Sequence, residues 1–228
     1  WTAITLWLGV GSAQAENRSH AGLQALYDFR EGSGSVVHDR SGTGRAVDLL
    51  ISSPEAVEWN DKGLTLLQAT QIRSSEPALK LNEAIRRSGE VTIEAWIEPS
   101  NLEQEGPARI LTLSRSGTER NMTLGQDGNR YDVRFRTLKT GSNGTPSLST
   151  QKPSVVKHLT HVVYTRNRAG RAQLFLDSEP IAQKQVSGSA SNWNGQFRLA
   201  LGNEFGAPRA WLGTYRMIAI YSRDLLPR

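Results

Sequence analysis

The chain contains no cysteine. That absence excludes a disulfide framework, a thiolate metal centre and a cysteine nucleophile. Staples are not required, because a chain of 228 residues buries enough of its surface without them. Charge is present but never in blocks. The formal net charge is +5 and the sequence pI about 9.7, yet Arg109, Arg115, Arg120, Arg130, Arg134 and Arg136 stand singly. Nucleic-acid binders cluster basic residues on one face, so no nucleic-acid partner is expected. A solvated basic surface is the main reading, and an anion-binding face the alternative. No apolar run reaches the roughly 20 residues of a spanning helix, and no internal repeat or long linker divides the chain. His38, His158 and His161 lack metal-type spacing, and no nucleophile elbow accompanies the serines.

What is present begins with a short apolar stretch. Residues 1–15 end in Ala13-Gln14-Ala15, a small-x-small cleavage pattern, and polar Glu16-Asn17-Arg18-Ser19-His20 follows. The expectation is a signal-peptide remnant over 1–15, a linker over 16–22 and one domain over 23–228. A buried first strand or helix is the alternative for the apolar stretch. With no initiator Met ahead of it, the sequence is expected to be cut at its start. Export to the periplasm, cell surface or extracellular space follows, and the lack of cysteine suits a bacterial envelope protein.

After the linker, strand-sized apolar pieces alternate with turn chemistry. Leu23 to Phe29, Val91 to Ile97, Arg109 to Ser114, Tyr131 to Arg136, His161 to Thr165, Ala172 to Leu176 and Trp211 to Tyr221 are among the clearest. Gly125 to Gly128, Asn167 to Gly170 and Asp177 to Pro180 are expected hairpin turns. One segment differs: Ala78, Leu81, Ala84 and Ile85 recur at helical spacing before Gly89, which predicts a short helix over 78–87. Many strands and little helix indicate an all-β sandwich or barrel.

Four stretches narrow that choice. They are Leu26-Tyr-Asp-Phe-Arg-Glu-Gly-Ser-Gly34 with Val37-His-Asp-Arg-Ser-Gly42, then Val91-Thr-Ile-Glu-Ala-Trp-Ile97, then His161-Val-Val-Tyr164 with Ala172-Gln-Leu-Phe-Leu-Asp177. Last come Leu201-Gly-Asn203, Trp211-Leu-Gly213 and Ile218-Ala-Ile-Tyr-Ser-Arg223. In that order they resemble the laminin-G-like jelly roll of the concanavalin A-like lectin and glucanase superfamily. The resemblance implies an antiparallel two-sheet β-sandwich from about Leu23 to Leu225. In relatives the closing strand continues into a short helix, so a domain ending at Pro227-Arg228 is expected to be truncated, with neighbouring domains in the full-length protein. A structural calcium is also implied. The acidic residue of a Gly-x-x-Asp pattern is replaced after Gly213 by Arg216, which offers no ligand. Asp28 and Asp39 alone fall short of the six or more oxygens a hard cation takes. No cofactor is therefore expected, with calcium left open.

The superfamily includes glycosidases, so paired carboxylates matter. Glu94, Trp96 and Glu98 share one face of a strand. Residues four apart lie about 13 Å apart at Cα, against the roughly 5 Å between carboxyls in retaining enzymes. The Glu-x-Asp-x-x-Glu pattern of laminarinase-like members is lacking, no catalytic residue is expected, and Trp96 is expected inside the sandwich with His161 structural. Ligand binding points instead to loops, with Asn192, Trp193, Asn203 and Glu204 as candidates and Trp211 as a further one. The alternative for Trp193 is an anchor folded onto the sandwich edge, and for Trp211 a packing role. Asn17, Asn121 and Asn143 match glycosylation acceptors, which matters only in a eukaryotic secretory route. The expected function is a non-catalytic recognition module of a larger exported protein, with a glycan or extracellular protein surface as partner. A glycan-active hydrolase and a structural spacer are the alternatives.

Overall fold

A computed structural model describes residues 20–104 and 106–226. The expected leader over 1–15, the acceptor Asn17 and the end at Pro227-Arg228 lie outside them. Six strands come first: β1 (Leu23–Tyr27), β2 (Val36–Val37), β3 (Leu49–Ile51), β4 (Val57–Asn60), β5 (Gly63–Leu66) and β6 (Ile72–Ser74). The helix α1 (Leu79–Ser88) follows, then β7 (Val91–Pro99), β8 (Ala108–Ser116), β9 (Glu119–Asp127), β10 (Arg130–Phe135) and β11 (Leu148–Ser149). The chain closes with β12 (Thr160–Arg166), β13 (Arg171–Leu176), β14 (Glu179–Gln185), β15 (Arg198–Leu201) and β16 (Gly213–Tyr221).

These strands form two eight-stranded sheets. The first runs β14-β13-β12-β7-β16-β5-β4, with β1 also paired to β16; the second runs β11-β10-β9-β8-β15-β6-β3-β2. Neighbours are antiparallel, and the two-sheet sandwich with a single α-helix among the described residues matches the expected class. Period-two alternation builds it. On β7, Val91, Ile93, Ala95 and Ile97 are fully buried in the core while Glu94, Trp96 and Glu98 face outward. On β10, Tyr131, Val133 and Phe135 enter the same core, leaving Asp132 and Arg134 on the outer face of the second sheet.

The helix runs one residue later than predicted. Leu81 and Ile85 are fully buried, each worth about 1.5–3 kcal/mol. Gly89 ends it in the left-handed region at φ 68, where glycine escapes the Cβ penalty. Two turns differ from expectation. β9 continues through Gly125 to Asp127, because Gly125 serves close strand approach: a Cβ there would lie 2.7 Å from the Ala108 carbonyl oxygen. The second turn is only Asp177-Ser178, at φ 48 and φ 73. Pro180 belongs to β14, an edge strand where a missing N–H costs no ladder bond.

The Asp39 carboxylate ties together the turn after β2. Asp39 Oδ1 accepts the backbone N–H groups of Leu26 (3.2 Å) and Ser41 (3.0 Å), and Oδ2 accepts Val47 N–H at 3.0 Å. The Lys80 ammonium, on α1, donates to the same Oδ2 at 2.7 Å, to Ser41 Oγ at 3.3 Å and to the Thr43 carbonyl at 2.6 Å. Burial favours a neutral Asp39, but the Lys80, Val47 and Ser41 hydrogen bonds outweigh it and hold the carboxyl below its ordinary value.

Candidate functional site

The five loop candidates do not meet at a rim. Trp193 is 2% exposed; its indole N–H donates to the Arg136 carbonyl at 2.8 Å, and its ring lies 4.9 Å from Phe135. This is the edge-anchor alternative, and the expected exposed indole is corrected. Trp211 is fully buried, donating to Gln126 Oε1 at 3.0 Å; it packs as the resemblance implied. Asn203 Oδ1 accepts the N–H groups of Glu204 (2.9 Å) and Arg209 (2.8 Å), so it shapes its own loop. Asn192 Nδ2 donates to the Thr137 carbonyl at 2.9 Å, while its Oδ1 is buried with no partner. Glu204, expected at a rim, has a side chain with 0% exposure. It is corrected to a buried group, held inside by what it meets.

Glu204 meets arginines. Its Oε2 lies 2.7 Å from Arg109 Nε and 3.4 Å from Arg120 Nη1, and its Oε1 accepts the Ser114 hydroxyl and the Phe205 N–H. Register explains the meeting. Ser114 on β8 pairs with Arg120 on β9 and Arg198 on β15. One step along, Arg134, Thr123, Thr112, Ala200 and Arg73 form a row across five strands. All project outward, since Leu111, Leu113, Met122, Leu124, Leu199 and Leu201 fill the core. Arginines that stand singly in the sequence therefore converge on one sheet face. The signal was the outward parity of successive hairpin strands, which residue spacing along the chain does not display.

The electrostatics follow from burial and crowding. Desolvation, with Arg109 next to it, pulls the Arg120 guanidinium down to about 10, and burial also lowers Arg109. At the edge nearer solvent, Asp132 Oδ1 accepts Arg134 Nε at 3.1 Å and Oδ2 accepts the Ser149 hydroxyl at 2.6 Å. Arg134 Nη1 also donates to Asn143 Oδ1 at 3.3 Å. Arg136, just past the end of β10, keeps Nε and Nη1 buried without a partner. Both carboxylates of this face are held by guanidinium groups, so the arrangement suits binding of polar or anionic groups better than proton transfer.

The outer face of the first sheet holds a second group. Glu94, Trp96 and Glu98 share it as expected, but Trp96 lies outside the sandwich because its neighbours Ala95 and Ile97 take the core positions. It stacks on His161, the residue opposite it on β12, at 4.4 Å and 13°. His161 Nε2 lies 3.1 Å from Glu94 Oε1, and Glu98 lies 3.9 Å from Lys62.

The calcium implied by the resemblance does not fit the residues present. Asp28 pairs with Arg40 at 3.0 Å, both oxygens of Asp39 are taken by N–H groups and Lys80, and the Arg216 guanidinium bonds the Asp61 carbonyl. Among the described residues no group of three or more His, Cys, Asp or Glu could hold a metal. No described helix is long and apolar enough to cross a membrane. Asn121 is fully buried, its amide donating to Asn82 and Asn194, which leaves no room for a glycan there.

A laminin-G family model described as Concanavalin A-like lectin/glucanases superfamily matches residues 73–228. Curated proteins provide no match. Among solved structures, the Trypanosoma rangeli sialidase in complex with sialic acid superposes with TM-score 0.63 at 18% identity, over 90% of this chain and 31% of that one. The binding domain of botulinum neurotoxin DC in complex with SialylT gives 0.58 at 12% identity, over 90% and 48%. The same binding domain with rat synaptotagmin II gives 0.59 at 12% identity, over 90% and 49%. These likenesses concern the fold, and the chain spans less than a third of the sialidase.

Proposed function

Because the chain belongs to the concanavalin A-like lectin/glucanases superfamily, we propose that it is a non-catalytic glycan-recognition module, carried within a larger exported protein. The observation that carries this is the polar outer face of the second sheet. Arg134, Asp132, Ser149 and Asn143 hold one another there by direct hydrogen bonds; the first three stand on β10 and β11, and strands are rigid supports for recognition. Its carboxylates are ion-paired, which argues for binding and against turnover. The neighbours are consistent: one is a sialidase with sialic acid, another a toxin binding domain with SialylT. The same toxin domain with synaptotagmin keeps a protein partner as the second reading.

A glycan array with a parallel reducing-sugar assay tests the proposal. Binding without release of reducing ends is expected. Turnover that Glu94→Gln abolishes would establish the hydrolase instead, and neither binding nor turnover would leave a spacer.

A further inference from the structure

We infer that the second sheet carries a further interaction surface at its β2–β3 end, which docks an extended acidic segment of a partner protein. Arg134 and Asp132 lie at the other end, since β11 and β10 open this sheet and β3 and β2 close it. The inference therefore goes beyond the glycan reading and does not depend on it. Two arginines carry it. Register places Arg73 of β6 opposite Ala200 of β15 on one side and opposite Leu50 of β3 on the other, and Leu50 opposite Val36 of β2. Arg198, two residues before Ala200, shares its outward parity and stands diagonally from Arg73, about 7–8 Å away.

Both guanidinium groups reach solvent and are uncommitted. Arg73 and Arg198 are partly exposed, none of their nitrogens is a buried orphan, and among the described residues neither meets a carboxylate or a carbonyl. Arg198 sits over the Phe205 ring, 4.5 Å from its centroid. That contact takes one face of the guanidinium and restricts its motion, while a carboxylate bonds the N–H edge. Beyond Arg73 the surface turns apolar: Leu50 is 45% exposed and Val36 partly so. From β15 to β2 the order is cation, cation, apolar. An extended peptide presents alternate side chains on one face about 6.6–6.8 Å apart, close to the separation of the two arginines. A segment of the pattern Glu-x-Glu-x-Leu would set its carboxylates on Arg198 and Arg73 and its leucine on Leu50 and Val36. A sulfated glycan or a nucleic-acid backbone matches the charges but brings no apolar side chain for Leu50. The net charge of +5 favours the approach of an acidic partner.

Fluorescence anisotropy of labelled, capped peptides at physiological salt tests this. The first peptide is Glu-Thr-Glu-Thr-Leu; the second has the same composition with leucine first and the glutamates adjacent. The first is expected to bind at least about tenfold more tightly than the second. Arg73→Gln and Arg198→Gln are each expected to weaken that binding about tenfold, and Leu50→Ser about threefold. Arg130→Gln, which removes the same charge from an exposed position on β10, is expected to leave it unchanged. Arg73 and Leu50 have no bonded partner to lose, so these variants should melt at the wild-type temperature, which separates lost binding from lost folding. Equal binding of the two peptides, or equal loss in Arg130→Gln, would reduce the effect to general charge and overturn the inference. Displacement of the first peptide by dextran sulfate at a lower concentration of charge would make the face a polyanion site and overturn it as well. No binding of the first peptide at millimolar concentration would overturn it and leave the glycan reading standing.

Discussion

At the centre of the second sheet's outer face, Glu204 holds two guanidinium groups that water does not reach. The desolvation cost of such a group is high, and attraction offsets it only while all partners are present. Glu204→Ala leaves Arg109 and Arg120 side by side without a counter-charge and should cost about 3–5 kcal/mol. Urea denaturation would register this as a lower midpoint. Replacing Arg109, Arg120 and Glu204 together by apolar residues of similar volume should cost much less, since no charge is then left buried. The residue scale is also where sequence reasoning reached least far. Alternation tells which face a side chain takes, but not whether a distant loop then covers that face. Trp193 and Trp211 found their N–H acceptors at Arg136 and Gln126, and Glu204 its cations on β8 and β9. Those partners belong to strands far away in the chain, so loop composition read exposure where the fold supplies burial.

Between β2 and α1, the Asp39–Lys80 contact joins an opening turn to the helix that closes the sandwich edge. A carboxyl whose folded value lies below its unfolded one contributes stability that is complete above the ordinary value of 3.8 and vanishes as pH falls through the folded value. Thermal melts of the wild type should therefore decline between roughly pH 5 and pH 2 more steeply than those of Asp39→Asn. At neutral pH the variant should be weaker by about 2–3 kcal/mol, because an amide would set a donor against Lys80 or Val47 N–H. Equal slopes for the two proteins would show that another carboxylate governs acid unfolding. Elements of this size were legible in the sequence. The helix was found by its spacing and its glycine stop, and the long strands by alternation. The two-residue β11, Leu148–Ser149, was not, whereas the equally short β2 was, because paired valines signal a strand by their β-branching where a leucine and a serine carry neither period nor propensity. Gly125 read as a turn because glycine for close strand approach and glycine for a turn look alike until the neighbouring strand is placed.

Over the whole molecule, the two ends of the described chain meet in the first sheet. β16 lies between β7 and β5 and also pairs with β1, and Ser222 N–H donates to the Gly22 carbonyl at 2.8 Å. The arginine face belongs to the other sheet. The placement of β16 also makes it indispensable: a chain stopped after Leu212 loses the centre of the first sheet and should show no cooperative unfolding by circular dichroism. A circular permutant tests closure without removing anything. Leu226 would be joined to His20 by a short flexible linker, and the new ends opened between Lys157 and His158, both exposed in the loop before β12. Exposed loops of this kind tolerate cleavage, so the permutant should unfold cooperatively and keep the wild-type glycan affinity. A permutant that folds but no longer binds would place the recognition surface at the opened loop, away from β10.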